Sequence, residues 1–98
     1  MNKASAQART AAETLAIQAL AFLADDPERL GAFLAATGVA PEAIRQAAQQ
    51  RDFLAGILDH MLGDESLLVA FADSIGIDPA AIAKAQHALG GRWERDIP

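Results

Sequence analysis

Four side chains able to bind a metal or move a proton fall within seven residues: Asp59, His60, Asp64 and Glu65. On one continuous helix, His60 and Asp64 would share a face at i and i+4, a spacing that can hold a cation. A second acidic cluster, Asp25, Asp26 and Glu28, offers the paired carboxylates of general acid–base work, but nothing apolar surrounds it to tune such a pair. The rest of the inventory is short: two His, three Ser, three Thr, two Lys, no Cys and no Tyr. No GxSxG elbow, P-loop, GxGxxG or HExxH occurs, and neither Ser66 nor Ser74 has a His or Asp at a triad-like spacing. The residues therefore predict no catalytic, cofactor-binding or metal-binding set and no enzyme. A metal or small-ligand site on His60 with Asp59, Asp64 or Glu65 is the alternative.

The elements that must position these residues are helices, because no window shows the two-residue alternation of a half-buried strand. The chain matches itself at an offset of 38 residues. Leu20, Asp26, Ala32, Phe33, Gly38, Pro41, Ala43, Ile44 and Ala47 recur as Leu58, Asp64, Ala70, Phe71, Gly76, Pro79, Ala81, Ile82 and Ala85. Residues 13–50 and 51–89 read as two tandem units of three helices each, giving an all-α compact bundle of about six short helices in a single domain.

In each unit a first amphipathic helix covers about 11–24 or 52–62, with Thr10 and Glu13 as a capping box and Asp52 as the cap of the counterpart. Asp26 before Pro27, and Asp64, start the second helices, which end at Gly38 and Gly76. Val39 and Ile77 then pack back on Phe33 and Phe71. Pro41 and Pro79 open third helices reaching Gln50 and Leu89. In this frame His60 falls where Phe22 lies, an aromatic packing position, and Asp64 and Glu65 fall where a helix begins. Structural roles are thus expected for both acidic clusters, with Asp25, Asp26, Asp64 and Glu65 free to face a partner. His87 suits the last turn of the final helix. Gly56, among large apolar residues, marks close helix packing.

Residues 1–9 read as a flexible N-terminus and 90–98 as a tail. After Gly90-Gly91 the tail is polar apart from Trp93 and Ile97. Tryptophan there either folds back as a lid on the core or anchors a partner; the lid is the favoured reading.

Hydrophobic residues make up 52% of the chain, and 24 of them are Ala. Eleven Leu, seven Ile and four Phe suffice for one core, with little left for a broad exposed patch. From Thr10 to Gly91 four basic residues stand against eleven acidic ones, a net charge of −7. Such a body lacks the basic face that phosphate backbones and anionic membranes require. Leu15–Ala24 is interrupted by Gln18 and follows Glu13, which argues against a secretory signal, and it is too short for a membrane span. The expectation is a cytoplasmic protein, a monomer or weak homodimer, binding a protein partner of basic charge and neither nucleic acid nor membrane.

Three segments, ALAFLADDPERLGAFLAATGVAPEAIRQA (Ala19–Ala47), FLAGILDHMLGDESLLVAFADSIGIDP (Phe53–Pro79) and the closing ALGG (Ala88–Gly91), carry a family resemblance. Over about residues 13–90 the chain resembles a small bacterial family, known mainly from alphaproteobacteria and catalogued as domain-of-unknown-function family 3572. The resemblance implies an all-helical fold and a bacterial cytosolic setting. It supplies no activity and no site residues, and Trp93 lies outside it.

Overall fold

The computed structural model describes the backbone of residues 3–89 and the side chains of residues 6–89. Six α-helices follow one another: α1 (Lys3–Ala24), α2 (Pro27–Thr37), α3 (Ile44–Ala47), α4 (Arg51–Leu62), α5 (Glu65–Ile75) and α6 (Pro79–Leu89). A 3₁₀ turn, Pro41–Ala43, leads directly into α3. No strand occurs among the described residues, so the chain is all-α.

α2 and α5 have the same bounds at an offset of 38, and they begin alike. Asp26 and Asp64 take extended backbone at the N-cap, and their carboxylates accept from Glu28 N (2.9 Å) and Leu67 N (3.2 Å). Each thereby satisfies an amide that the first helical turn leaves without an internal partner. The two helices also end on left-handed glycines, Gly38 at φ 76° and Gly76 at φ 71°. Beyond Gly76 the amide of Ile77 reaches the Ala72 carbonyl at 3.0 Å, closing a Schellman ending, and Ile77 packs on the core. At Gly38 a single bond from its own amide to the Leu34 carbonyl (2.8 Å) closes the helix. There the Thr37 hydroxyl accepts from Val39 N at 3.4 Å, an acceptor that Ile75 cannot offer in the second copy.

The core is apolar throughout, with no buried polar or charged side chain among the described residues. α1, α4 and α6 pack against one another, while α2 lies on α1 and α5 on α4 and α6. α1 presents a stripe of small residues inward, Ala12, Ala16 and Ala19, closed by Leu23. Against it stand the larger Leu54, Ile57, Leu58 and Met61 of α4 and Ile82 and Leu89 of α6. Small side chains on one helix let bulky ones on its neighbours approach closely. Phe33 and Phe71, one from α2 and one from α5, are both 0% exposed and are the largest of the fully buried side chains.

Four expectations change. α1 begins at Lys3, so Lys3–Arg9, expected as part of a flexible N-terminus, are helical, and Thr10 and Glu13 form no capping box. The Thr10 hydroxyl instead donates to the Ala6 carbonyl (3.0 Å) inside the helix, and the Ala-rich stretch before it has the propensity to continue the helix. Asp52 sits in the first turn of α4, whose N-cap is Gln50 without a side-chain bond. The third helix of the first unit does not reach Gln50. Only the 3₁₀ turn and α3 form there, because Ile44 and Ala47 stay half-buried and Arg51, at the position of Leu89, is exposed. Short helices persist mainly through packing of an apolar face, and this one has too little. Gly56 is not a close-packing site, since a Cβ added there meets nothing within 4 Å.

These local geometries predict opposite signs for three glycine substitutions. Gly38→Ala and Gly76→Ala should each destabilise by about 1 kcal/mol through left-handed strain alone, since neither Cβ would meet an obstacle. Gly56→Ala should stabilise by roughly 0.5–1 kcal/mol. Urea unfolding of the three variants, compared at constant slope, checks all three signs.

Candidate interaction surface

The two acidic clusters are where helices start, and they remain apart from His60 chemistry. Asp25 is exposed in the break between α1 and α2, beside the N-cap Asp26. Asp26 also lies 3.8 Å from Arg29 Nε, with both side chains about 40% exposed, which makes that ion pair a weak contributor. Asp64 caps α5, and Glu65 is its exposed first residue. Asp59 is exposed on α4. The helix that would align His60 with Asp64 ends at Leu62, followed by Gly63. Among the described residues no group of three His, Asp or Glu side chains could hold a metal ion, so nothing supports the metal form of the alternative built on His60 with Asp59, Asp64 or Glu65. His87 is exposed in the last turn of α6. Trp93 lies outside the described residues.

His60 has a packing partner instead. Its ring meets Phe33 edge-on, with centroids 5.1 Å apart at 74°. Phe22 meets Phe71 at 5.5 Å and 53°. The offset of 38 relates the two contacts: position 22 of one corresponds to 60 of the other, and position 33 to 71. Each second helix thus places its Phe against the first helix of the other unit, and the aromatic position that the offset assigns to His60 is the one it fills. Phe53 adds an edge contact to Phe33 at 5.7 Å. On the outside, the Arg29 guanidinium sits 4.4 Å over the half-buried Phe22 ring, a cation–π contact worth about 0.5–1 kcal/mol.

One surface feature has no counterpart in the candidates read from the sequence. An open groove of about 590 Å³ runs between α1 and the Pro41–Ala47 segment, with Ile17, Leu20, Pro41 and Ile44 among its lining residues. Glu42 and Arg45 supply its charges. It meets a shallower depression of about 290 Å³ at Ile17, where Glu13 joins the rim. Ile17 is 44% exposed, and Val69 on α5, at 42%, is the other large apolar residue standing in solvent among the described residues. The signal in the sequence was faint: in the 38-residue frame Ile17 corresponds to Ala55, a large residue where the other unit carries a small buried one.

The chain matches a family described as "Protein of unknown function (DUF3572)" over residues 9–92. It belongs to that family. The match spans every described helix except the first turns of α1, and Trp93 falls just beyond it. No curated protein and no solved structure matches the chain. No single described helix is long and apolar enough to cross a membrane; α5 and α6 pass that test only as a pair, and they are bent by 101°.

The aromatic role of His60 is separable from any chemical one. His60→Phe should keep or raise the unfolding midpoint, because a phenyl ring fills the same edge-on position that Phe22 fills against Phe71. Phe33→Ala should cost about 3–5 kcal/mol. A His60→Phe variant that unfolds more easily than the parent by a kcal/mol or so, in paired urea titrations, would contradict the packing role.

Proposed function

We propose that this domain is a non-enzymatic protein-interaction module of the bacterial cytosol, built from two copies of one helical unit, that binds a basic protein partner as a monomer or weak homodimer. The observation that carries this reading is the groove at Ile17, an open apolar feature on a body whose residues 10–91 carry −7. A soluble domain gains nothing in stability from holding a branched aliphatic side chain in water, and apolar surface in a concave setting with a charged rim suits recognition. The acid excess adds steering: a cationic partner would arrive faster at low ionic strength. Asp25, Asp26, Asp64 and Glu65 contribute to that field from the helix starts.

Chemistry has less to support it. Among the described residues the core holds no polar side chain, so none of their acids, bases or hydroxyls sits in the desolvated setting that catalysis exploits. The described acidic residues are spread over helix starts and exposed faces.

Tagged protein immobilised and exposed to native bacterial lysate at low salt should retain a basic protein, identified by mass spectrometry. The purified pair should then weaken by about tenfold or more as salt rises through the range that shortens the screening length below the size of the contact. Retention of nothing at low salt, or a complex indifferent to salt, would refute the reading.

A further inference from the structure

The link between the two halves of the chain carries none of the signals that break its other helices. Asp26, Asp64 and Asp78 accept from amides at the starts of α2, α5 and α6, and each of those breaks is also marked by a Gly or a Pro. Between α2 and the 3₁₀ turn stand Gly38 and Pro41. Between α3 and α4 stand only Ala48, Gln49 and Gln50, all good helix formers, and the N-cap Gln50 makes no side-chain bond. The amides of Gln49 and Gln50 close tight turns onto the carbonyls of Gln46 and Ala47, at 3.1 and 2.9 Å. Asp52 favours a helix start through the dipole but leaves the end of α3 unmarked. The break is thus imposed by packing. Straightened, the same residues would form one helix from Ile44 to Leu62, with the amides of Arg51, Asp52 and Phe53 bonded to the carbonyls of Ala47, Ala48 and Gln49.

The packing that imposes the break lies between the halves. α1 rests on α4 and α6, Phe33 meets Phe53 and His60, and Phe71 meets Phe22. Among the described residues the first half contributes only Leu23 and Phe33 as large buried side chains, beside its Ala stripe, so it has no core of its own. We infer that the Ala48–Gln50 link is a hinge for exchange between two copies of this chain. With α3 and α4 joined as one helix, the first half of each copy closes on the second half of the other. The contacts between the halves then reform between chains, so the balance turns on the link. The continuous helix gains backbone bonds, the dimer loses translational and rotational freedom, and concentration selects the state. This goes beyond the basic partner and does not depend on it.

The test unfolds the full chain in urea, refolds it at low and at high protein concentration, and separates the products by size with light scattering. High concentration should yield a dimer that low concentration does not. Isotope-labelled and unlabelled chains refolded together should give filtered NOEs from labelled Phe33 to unlabelled His60, and from labelled Phe22 to unlabelled Phe71. The double substitution Gln49→Gly and Gln50→Gly, at two exposed positions, penalises the continuous helix in both copies. It should weaken dimerisation by about tenfold or more, while circular dichroism of the monomer stays unchanged. A monomer at every concentration would overturn the inference. So would a dimer whose aromatic contacts stay within each chain, which is a side-by-side pair, or a dimer indifferent to the glycines. None of these outcomes bears on whether a basic protein is retained from lysate, so the interaction-module reading stands or falls on its own test.

Discussion

The reach of Phe33 and Phe71 across the bundle is the constraint on which the rest depends. Each is fully buried, and each meets the first helix of the other unit, Phe33 against His60 and Phe71 against Phe22. A helix turns by about 100° per residue, so a second helix starting one residue early or late would swing its Phe away from that contact. The starts and stops are therefore part of the core. Asp26 and Asp64 stand seven residues before their Phe, and Gly38 and Gly76 five residues after, in both halves. An aspartate with extended backbone at one end and a left-handed glycine at the other hold each helix in register. The acidic residues that could be taken for catalytic carboxylates are, on this account, what aims the aromatic rings.

The halves diverge where packing stops supporting a helix. Ile82, Ala85 and Leu89 supply α6 with three inward positions over two turns. The matching positions are Ile44, Ala47 and Arg51, and a charged third member gives the last turn nothing to bury. Propensity favours a helix through Ala47 and Ala48, yet isolated helices of this length are marginal in water, and only the first turn survives. The chain then uses Arg51 as the first residue of α4. α1, with its inward stripe of Ala, is packed against α6 and α4, and the shortened Pro41–Ala47 segment beside it leaves Ile17 exposed.

Much of this was legible in the residues. The all-helical class, the bounds of α2 and α5, the proline at the start of α6 and the aromatic character of position 60 all follow from caps, breakers and the offset of 38. Capping chemistry is local and strong, so it reads well from sequence. Two of the four expectations that changed did so because a competing effect was stronger than the signal used. Thr10 resembles an N-cap, but the Ala-rich segment before it sustains a helix from Lys3, and the hydroxyl turns back to the Ala6 carbonyl. Pro41 marks a helix start correctly, but a start signal says nothing about how far packing will carry the helix. The groove was invisible for that reason: apolar periodicity shows that Ile17 and Leu20 share a side of α1, and whether another element covers that side is a tertiary fact.

Exposure alone would not single out Ile17, because Val69 is nearly as exposed. Solitary apolar residues on a surface are ordinary and need no partner. The difference lies in what surrounds each. Ile17 lies at the junction of two depressions, with apolar neighbours on α1 and on the 3₁₀ turn, whereas Val69 lines neither of them. A concave apolar setting lets an incoming side chain lose its water on several sides at once, which a convex position cannot do. The acidic charge around it plays a different part. Charge at a rim sets how fast a cationic partner arrives and how salt alters the encounter, while the shape and burial at the centre decide what stays bound.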